Sequence, residues 1–173
     1  MSTVKLFAVY LGGQAERCHT ELHDVVFAIG ETIEETYPQL CAQWFGVRKG
    51  LHIDSWRVLD VVDGYQITLV KTPQSESRPG APRLFFINLG AYPPGGDFTE
   101  LHRNVFLVGP DAATVKQRAK TAWRQNVELA HTDALHAVDE CLPSNLTPVY
   151  SIRLTPTNAP ESYEVHDEYH PIP

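Results

Sequence analysis

The stretch Glu21-Leu22-His23-Asp24-Val25-Val26-Phe27-Ala28-Ile29-Gly30 returns later as Glu100-Leu101-His102-Arg103-Asn104-Val105-Phe106-Leu107-Val108-Gly109. The same events flank both copies in the same order. Leu84, Phe85, Leu89 and Gly90 answer Leu6, Phe7, Leu11 and Gly12 upstream. Downstream, Trp123 answers Trp44, His131 answers His52, Asp133 answers Asp54 and Asp139 answers Asp60. The chain is therefore a tandem duplication, and its fold has to be built from two copies of one small unit.

Within the first copy, Val4 to Leu11 is apolar at nearly every position, as in a strand buried on both faces. Val25 to Ile29 is a second strand, rich in β-branched and aromatic residues. Thr32 with Glu35 reads as a capping box. Ile33, Tyr37, Leu40, Cys41 and Trp44 follow at helical spacing on one face. A strand is expected from Ser55 to Val61, and Asp63-Gly64 is a two-residue hairpin signal. Tyr65, Ile67 and Leu69 then alternate with Gln66 and Thr68, the pattern of a strand with one wet face. The second copy repeats this order, with Asp111 as N-cap of a helix presenting Val115, Ala119 and Trp123, and with a last strand from Val149 to Leu154.

The expected fold is α+β: a tandem ββαββ unit, each copy an antiparallel or mixed four-stranded sheet with one packed helix. Alone, each copy has a thin core, so the two are expected to share apolar surface about a pseudo-twofold axis. The expected boundaries are 1–70 for the first repeat, 71–82 for a Pro- and Ser-containing linker and 83–154 for the second repeat. Residues 155–173 read as an extended or poorly ordered tail containing Pro, Glu and His.

Composition bounds the partners. A formal net charge of −7 argues against nucleic acid, whose phosphates need clustered Lys and Arg. The run Leu6 to Leu11 resembles a short signal sequence, but its echo at Leu84 to Leu89 lies in mid-chain, so both are strands. No run approaches the ~18 apolar residues of a membrane span. Cys18, Cys41 and Cys141 are odd in number and form no CxxC pair, which suits a cytoplasmic protein with reduced thiols.

Leu-Gly-Gly at 11–13, Glu-Leu-His-Asp at 21–24 and His-Ile-Asp at 52–54 together resemble the bacterial domain-of-unknown-function family numbered 1543, whose members carry one or two copies of the domain. Lys5 to Val70 is the better match. Arg83 to Leu154 keeps Glu100, Leu101, His102, His131 and Asp133, and has Arg103, Ala91 and Thr132 in place of Asp24, Gly13 and Ile53. The resemblance implies the architecture and brings no activity with it.

The repeated polar positions are His23, His52 and Asp54, answered by His102, His131 and Asp133. Two imidazoles and a carboxylate can hold Zn²⁺ or Fe²⁺ or supply a general base. They can equally tie loop backbone or cap strand ends, and agreement between copies fits both. Their spacing is not that of a compact metal motif, so no metal and no cofactor is assigned. Cys18, His19 and His23 form a local soft-ligand group with no second-copy counterpart. His166 to His170 lacks the HExxH order and reads as solvated tail. Gly12-Gly13 precedes a loop rather than a helix and is no phosphate cradle. No catalytic-nucleophile or Walker signature is present. The expected function is a non-enzymatic module, monomeric or homodimeric, binding a small ligand or a protein. The alternative is a metal-assisted enzyme with a two-His, one-carboxylate site.

Overall fold

A computed structural model describes residues 4–71, 80–123, 127–143, 149–161 and 164–173. Most of the expected linker, and residues 144–148 of the loop before the last strand of the second repeat, lie outside the described residues. The first repeat contains β1 (Lys5–Gly13), β2 (Leu22–Gly30), α1 (Tyr37–Gln43), β3 (His52–Val58), β4 (Val61–Val62) and β5 (Tyr65–Val70). The second contains β6 (Arg83–Tyr92), β7 (Leu101–Gly109), α2 (Ala112–Ala122), β8 (Glu128–Ala137) and β9 (Ser151–Pro156), and β10 (Val165–Pro171) follows. The fold is α+β, sheet-rich, and made of two repeated segments.

In each repeat the first strand is central: β1 lies between β2 and β3, and β6 between β7 and β8, all antiparallel. Both edges of these central strands are paired, and both faces are packed as well, which explains their continuous apolar runs. Phe7, Val9 and Leu11 pack outward with Leu40 of α1 and with Trp44. Phe85, Ile87 and Leu89 do the same with Val115 and Ala119 of α2. On the inner side, Leu6, Ala8, Phe27 and Ile29 share one core with Leu84, Phe86 and Val108. Phe27 meets Phe86 and Phe106 edge-on, with ring centroids 5.8 and 6.2 Å apart. The two sheets thus stack face to face.

The expected four-stranded sheet within each repeat is not what forms. β5 leaves its own repeat and pairs with β9, from Tyr65 opposite Pro156 to Val70 opposite Ser151, in a separate sheet with β4. The pairing serves the shared core. The single apolar rows of these strands (Tyr65, Ile67, Leu69 and Tyr150, Ile152, Leu154) close one side of the shared inner core.

Helix α1 is shorter than the capping box suggests. Ile33 starts a 3₁₀ turn at Glu34–Thr36, and α1 follows with Pro38 in its first turn. The Glu35 carboxylate accepts from Glu31 N–H at 2.8 Å, a residue before the expected cap. The Asp111 cap forms as read, accepting from Thr114 N–H at 2.8 Å. The Asp63-Gly64 hairpin also forms, with Val62 opposite Tyr65.

The tail is extended, and it pairs with β3 and β5 of the first repeat. Thr155 and Pro156 complete β9, and β10 adds an edge strand to β3, with Val165 opposite Arg57 and Pro171 opposite His52. Ring packing explains the docking of so polar a segment. His166 stacks on Trp56 at 4.3 Å between centroids, and the Tyr37 hydroxyl and His170 Nε2 are hydrogen-bonded. Among the described residues, no helix is long and apolar enough to cross a membrane.

Candidate functional site

The repeated His and Asp positions lie within strands rather than in loops before them. The reason is Gly12, which pairs with His23 on one side and His52 on the other. Gly90 likewise pairs with His102 and His131. In both repeats the register slips by one residue beside this glycine: Tyr10 faces Ser55 while Leu11 faces Ile53, and Asn88 faces Ala134 while Leu89 faces Thr132. Asp54 and Asp133 are the extra residues of these bulges, devices that re-aim a side chain at a strand end. They join the histidines above the glycines.

Four side chains then converge in each repeat, because Glu21 and Glu100 reach the same point. In the first, His52 Nε2 lies 3.1 Å from Glu21 Oε1 and 3.3 Å from Asp54 Oδ1. His23 Nε2 lies 3.2 Å from Asp54 Oδ2 and 3.7 Å from Glu21 Oε2. In the second, His131 Nε2 lies 2.9 Å from Glu100 Oε1 and 3.0 Å from Asp133 Oδ1. His102 lies 3.4 Å from Asp133 through Nδ1 and 3.6 Å from Glu100 through Nε2. One atom each from Glu100, His131 and Asp133 falls within 4.8 Å of the others.

The glycines are what leaves room for this. A Cβ on Gly12 would stand 2.5 Å from His52 Nε2 and closer still to Asp54 Oδ2. On Gly90 it would stand 2.6 Å from His131 Nε2 and 2.8 Å from Glu100 Oε1. These residues serve as space beneath the clusters, a role distinct from the phosphate cradle rejected on sequence grounds.

The histidines are held in one tautomer. Nδ1 of His52 is 2.9 Å from the Gly50 carbonyl, and Nδ1 of His131 is 2.9 Å from the Leu129 carbonyl. A carbonyl only accepts, so each Nδ1 carries hydrogen and each Nε2 turns toward the carboxylates. In a neutral imidazole that Nε2 is a lone pair facing negative oxygens. A proton or a metal cation has to stand between them. For His131 the Leu129 carbonyl, then the charges of Asp133 and Glu100, raise the imidazole above its usual range. Asp54 Oδ2 is sealed from solvent, with His23 Nε2 at 3.2 Å as its polar neighbour. Burial first, then the charge of Asp54, pushes the Tyr10 phenol up.

A cleft of about 630 Å³ opens between the stacked sheets. Its wall includes Glu21 and His23 from one cluster, His102 from the other, and Tyr10, Asn88 and Asn104 between them. Asn88 Nδ2 donates to Asn104 Oδ1 at 2.8 Å.

Of the sequence candidates, the structure gathers His23, His52 and Asp54 in one place and His102, His131 and Asp133 in another. Glu21 and Glu100 open the repeated stretch but are not among the candidate positions; alternate residues of a strand share a face, so Glu21 accompanies His23 and Glu100 accompanies His102. Cys18 takes the Ala15 N–H on its sulfur at 3.2 Å. Trp44 is buried in the outer core, with its indole N–H donating to the Val47 carbonyl at 3.1 Å.

Fold and site together define a class: a duplicated α+β protein with a two-histidine, two-carboxylate cluster at the head of each central strand. The chain belongs to the family described as Domain of Unknown Function (DUF1543), whose model matches residues 18–69 and again 97–147. It is similar to the crystal structure of a protein Il1583 from Idiomarina loihiensis, at 31% identity and a TM-score of 0.72, over 98% of each chain. No relative of curated function matches the sequence.

Proposed function

We propose that this protein is a binding module for divalent transition-metal ions, with one ion per repeat and the two repeats related by a pseudo-twofold. Glu21, His23, His52 and Asp54 would hold one ion; Glu100, His102, His131 and Asp133 the other. The observation that carries this reading is that each cluster turns one oriented imidazole Nε2, of His52 or His131, toward a glutamate and an aspartate oxygen above a glycine. Ligand atoms at 2.0–2.2 Å from an ion stand about 3.0 Å apart in an octahedron and about 3.4 Å apart in a tetrahedron. The nitrogen–oxygen separations of 2.9–3.7 Å surround those values. Two imidazoles with two carboxylates favour zinc, iron or a neighbouring ion over magnesium or calcium, which prefer oxygen alone. The carbonyls of Gly50 and Leu129 supply the outer hydrogen bonds that orient metal-ligating histidines.

The test is elemental analysis with native mass spectrometry on protein purified without chelator or affinity metal, followed by titration with Zn²⁺. Two equivalents are expected, falling to one in His52→Ala or His131→Ala and to none in the double variant. A protein that takes up no Zn²⁺ at micromolar concentration sinks the reading.

A second reading, metal-assisted catalysis, is favoured by the cleft. Its volume is that of small-molecule sites, and histidines of both clusters reach its wall. A bound ion would act there as a Lewis acid, with Tyr10 and the Asn88–Asn104 pair orienting a substrate. Retention of a small oxygen-donor ligand only by metal-loaded protein supports this reading.

A further inference from the structure

The two clusters have the same ligands and different surroundings. Strand β3, which carries His52 and Asp54, is covered along its outer edge by β10. Pro171 pairs with His52 itself, and Ile172 N–H donates to the Leu51 carbonyl at 3.2 Å. The bulge in β10 between Asp167 and His170 turns Tyr169 over the site, where its ring lies 4.3 Å from the His52 ring. Tyr10 covers the other imidazole, parallel to His23 within 4° at 4.9 Å. Both imidazoles of the first cluster are thus backed by a phenol ring.

The second cluster has neither support. Its strand β8 ends the sheet order β7-β6-β8 with no counterpart of β10 among the described residues. Asn88 stands where Tyr10 stands in the first repeat, and among the described residues no aromatic ring stacks on His102. Tyr92 approaches His131 only at 6.0 Å between centroids. The difference lies at the innermost ligand: the side chain of His52 is 5% exposed and that of His131 38%, while Glu21 (48%) is more open than Glu100 (33%).

We infer that duplication has divided the work: the first cluster is a closed metal centre that holds its ion, and the second is an open centre that exchanges its ion and accepts an outside oxygen-donor ligand. This rests on the metal reading and adds a difference between repeats that the reading alone does not require. A shell of ordered rings fixes the ligands and slows their stepwise dissociation, and outer-shell partners typically change metal affinity by about 10- to 100-fold. An open centre leaves coordination positions for water or a chelating oxygen pair. The cleft wall takes Glu21 and His23 from the first cluster and His102 from the second, and contains no Lys or Arg among the described residues, so an anionic ligand reaching either centre through it would owe its neutralisation to the metal. A small hydroxamate, which presents two oxygens, is the fitting probe.

The experiment uses full-length protein loaded with two equivalents of Zn²⁺ and mixed with excess EDTA. Two equal release phases are expected, separated by at least about tenfold in rate. His52→Ala removes the slow phase and His131→Ala the fast one. Tyr169→Ala, at an exposed position that leaves the core intact, brings the slow rate toward the fast one. In protein loaded with Co²⁺, acetohydroxamate is expected to change the visible spectrum of one equivalent, an effect kept in His52→Ala and lost in His131→Ala. Two ions leaving in a single phase, or a hydroxamate response that survives His131→Ala, overturns this inference and leaves the metal reading standing. Failure to take up any metal overturns both.

Discussion

Gly50 and Leu129 occupy the same place in the two repeats, each with positive φ (80° and 51°), and each turns its carbonyl to Nδ1 of the histidine two residues on. Glycine takes this left-handed backbone freely, whereas a leucine there is strained by roughly 1–2 kcal/mol. The second repeat keeps the conformation without the residue that makes it easy. The strain is offset locally by the fixed orientation of His131, as backbone strain often is at functional sites.

Leu129→Gly should therefore stabilise the protein by about 1 kcal/mol, since the leucine side chain is itself largely exposed. Gly50→Ala should destabilise it by a similar amount through backbone alone, because a Cβ at Gly50 meets nothing within 4 Å. Urea unfolding of the three proteins measures both. Zn²⁺ stoichiometry should not change in Leu129→Gly, because the carbonyl that orients His131 remains. A stability loss in that variant would show that Leu129 contributes contacts outweighing its strain.

The glycines beneath the clusters make a sharper demand. A Cβ at Gly12 or Gly90 displaces the ends of an aspartate and a histidine, which can swing aside, so the fold should survive while the site does not. Gly12→Ala should reduce Zn²⁺ affinity at the first cluster on the order of 100-fold and leave the second untouched. Gly90→Ala should do the reverse. Isothermal titration reads the two sites separately. Equal damage to both sites by either variant would mean that the glycines act through the packing of the whole inner face.

Much of this architecture was legible because duplication doubles every signal. The buried central strands, the Asp111 cap and the Asp63-Gly64 turn rest on local pattern, and local pattern suffices for them. The partner of β5 was not legible, because an alternating strand states which face is wet and says nothing about whose edge it joins. The docking of the tail was not legible for a related reason. Its polar residues carry no periodicity, and what docks them is ring contact with Trp56 and with His52, partners more than a hundred residues away. The site was half legible. His23, His52 and Asp54 stood out as chemistry-bearing types, but their convergence depends on a bulge at Asp54 that no residue type announces. Once β2 is known to begin at Leu22, Glu21 follows from strand alternation alone.

The Asp111 cap gives a pH dependence with a definite sign. Its carboxylate accepts from Thr114 N–H, the leading cause, and from the Thr114 hydroxyl at 3.1 Å, and its pKa is held below the usual range. A folded-state pKa below the unfolded one gives stability that is present above the unfolded pKa and is lost as pH falls through the folded one. Asp111→Ala should thus melt at a lower temperature than the parent near neutrality, and the gap should shrink on acidification as the carboxylate protonates. Melting curves taken from about pH 7 down through and below the usual aspartate range follow the loss. A gap that stays constant over that range would assign the effect to helix propensity rather than to the charged cap.

Asp63 is the polar joint between the repeats. It sits in the β4–β5 turn with φ of 52°. Its carboxylate accepts from the Val108 N–H at 2.8 Å, at the end of β7, and from Arg118 of α2 at 2.7 and 2.9 Å. Arg118 in turn donates to the Val108 carbonyl at 2.8 Å, and its pKa is raised, first by the hydrogen bond to Asp63. The arginine is nearly half exposed, so the ion pair itself contributes little. Losing the acceptor for the N–H of buried Val108 costs more than losing that pair. Asp63→Ala should destabilise the protein by about 2 kcal/mol, from that N–H together with an alanine forced into the left-handed region. Asp63→Asn tolerates the backbone and keeps one accepting oxygen, so it should cost about half as much. Urea denaturation with and without added salt separates the contributions. If the two variants lose stability equally and salt abolishes the loss, the joint is an ion pair; the geometry instead predicts unequal losses that salt barely changes.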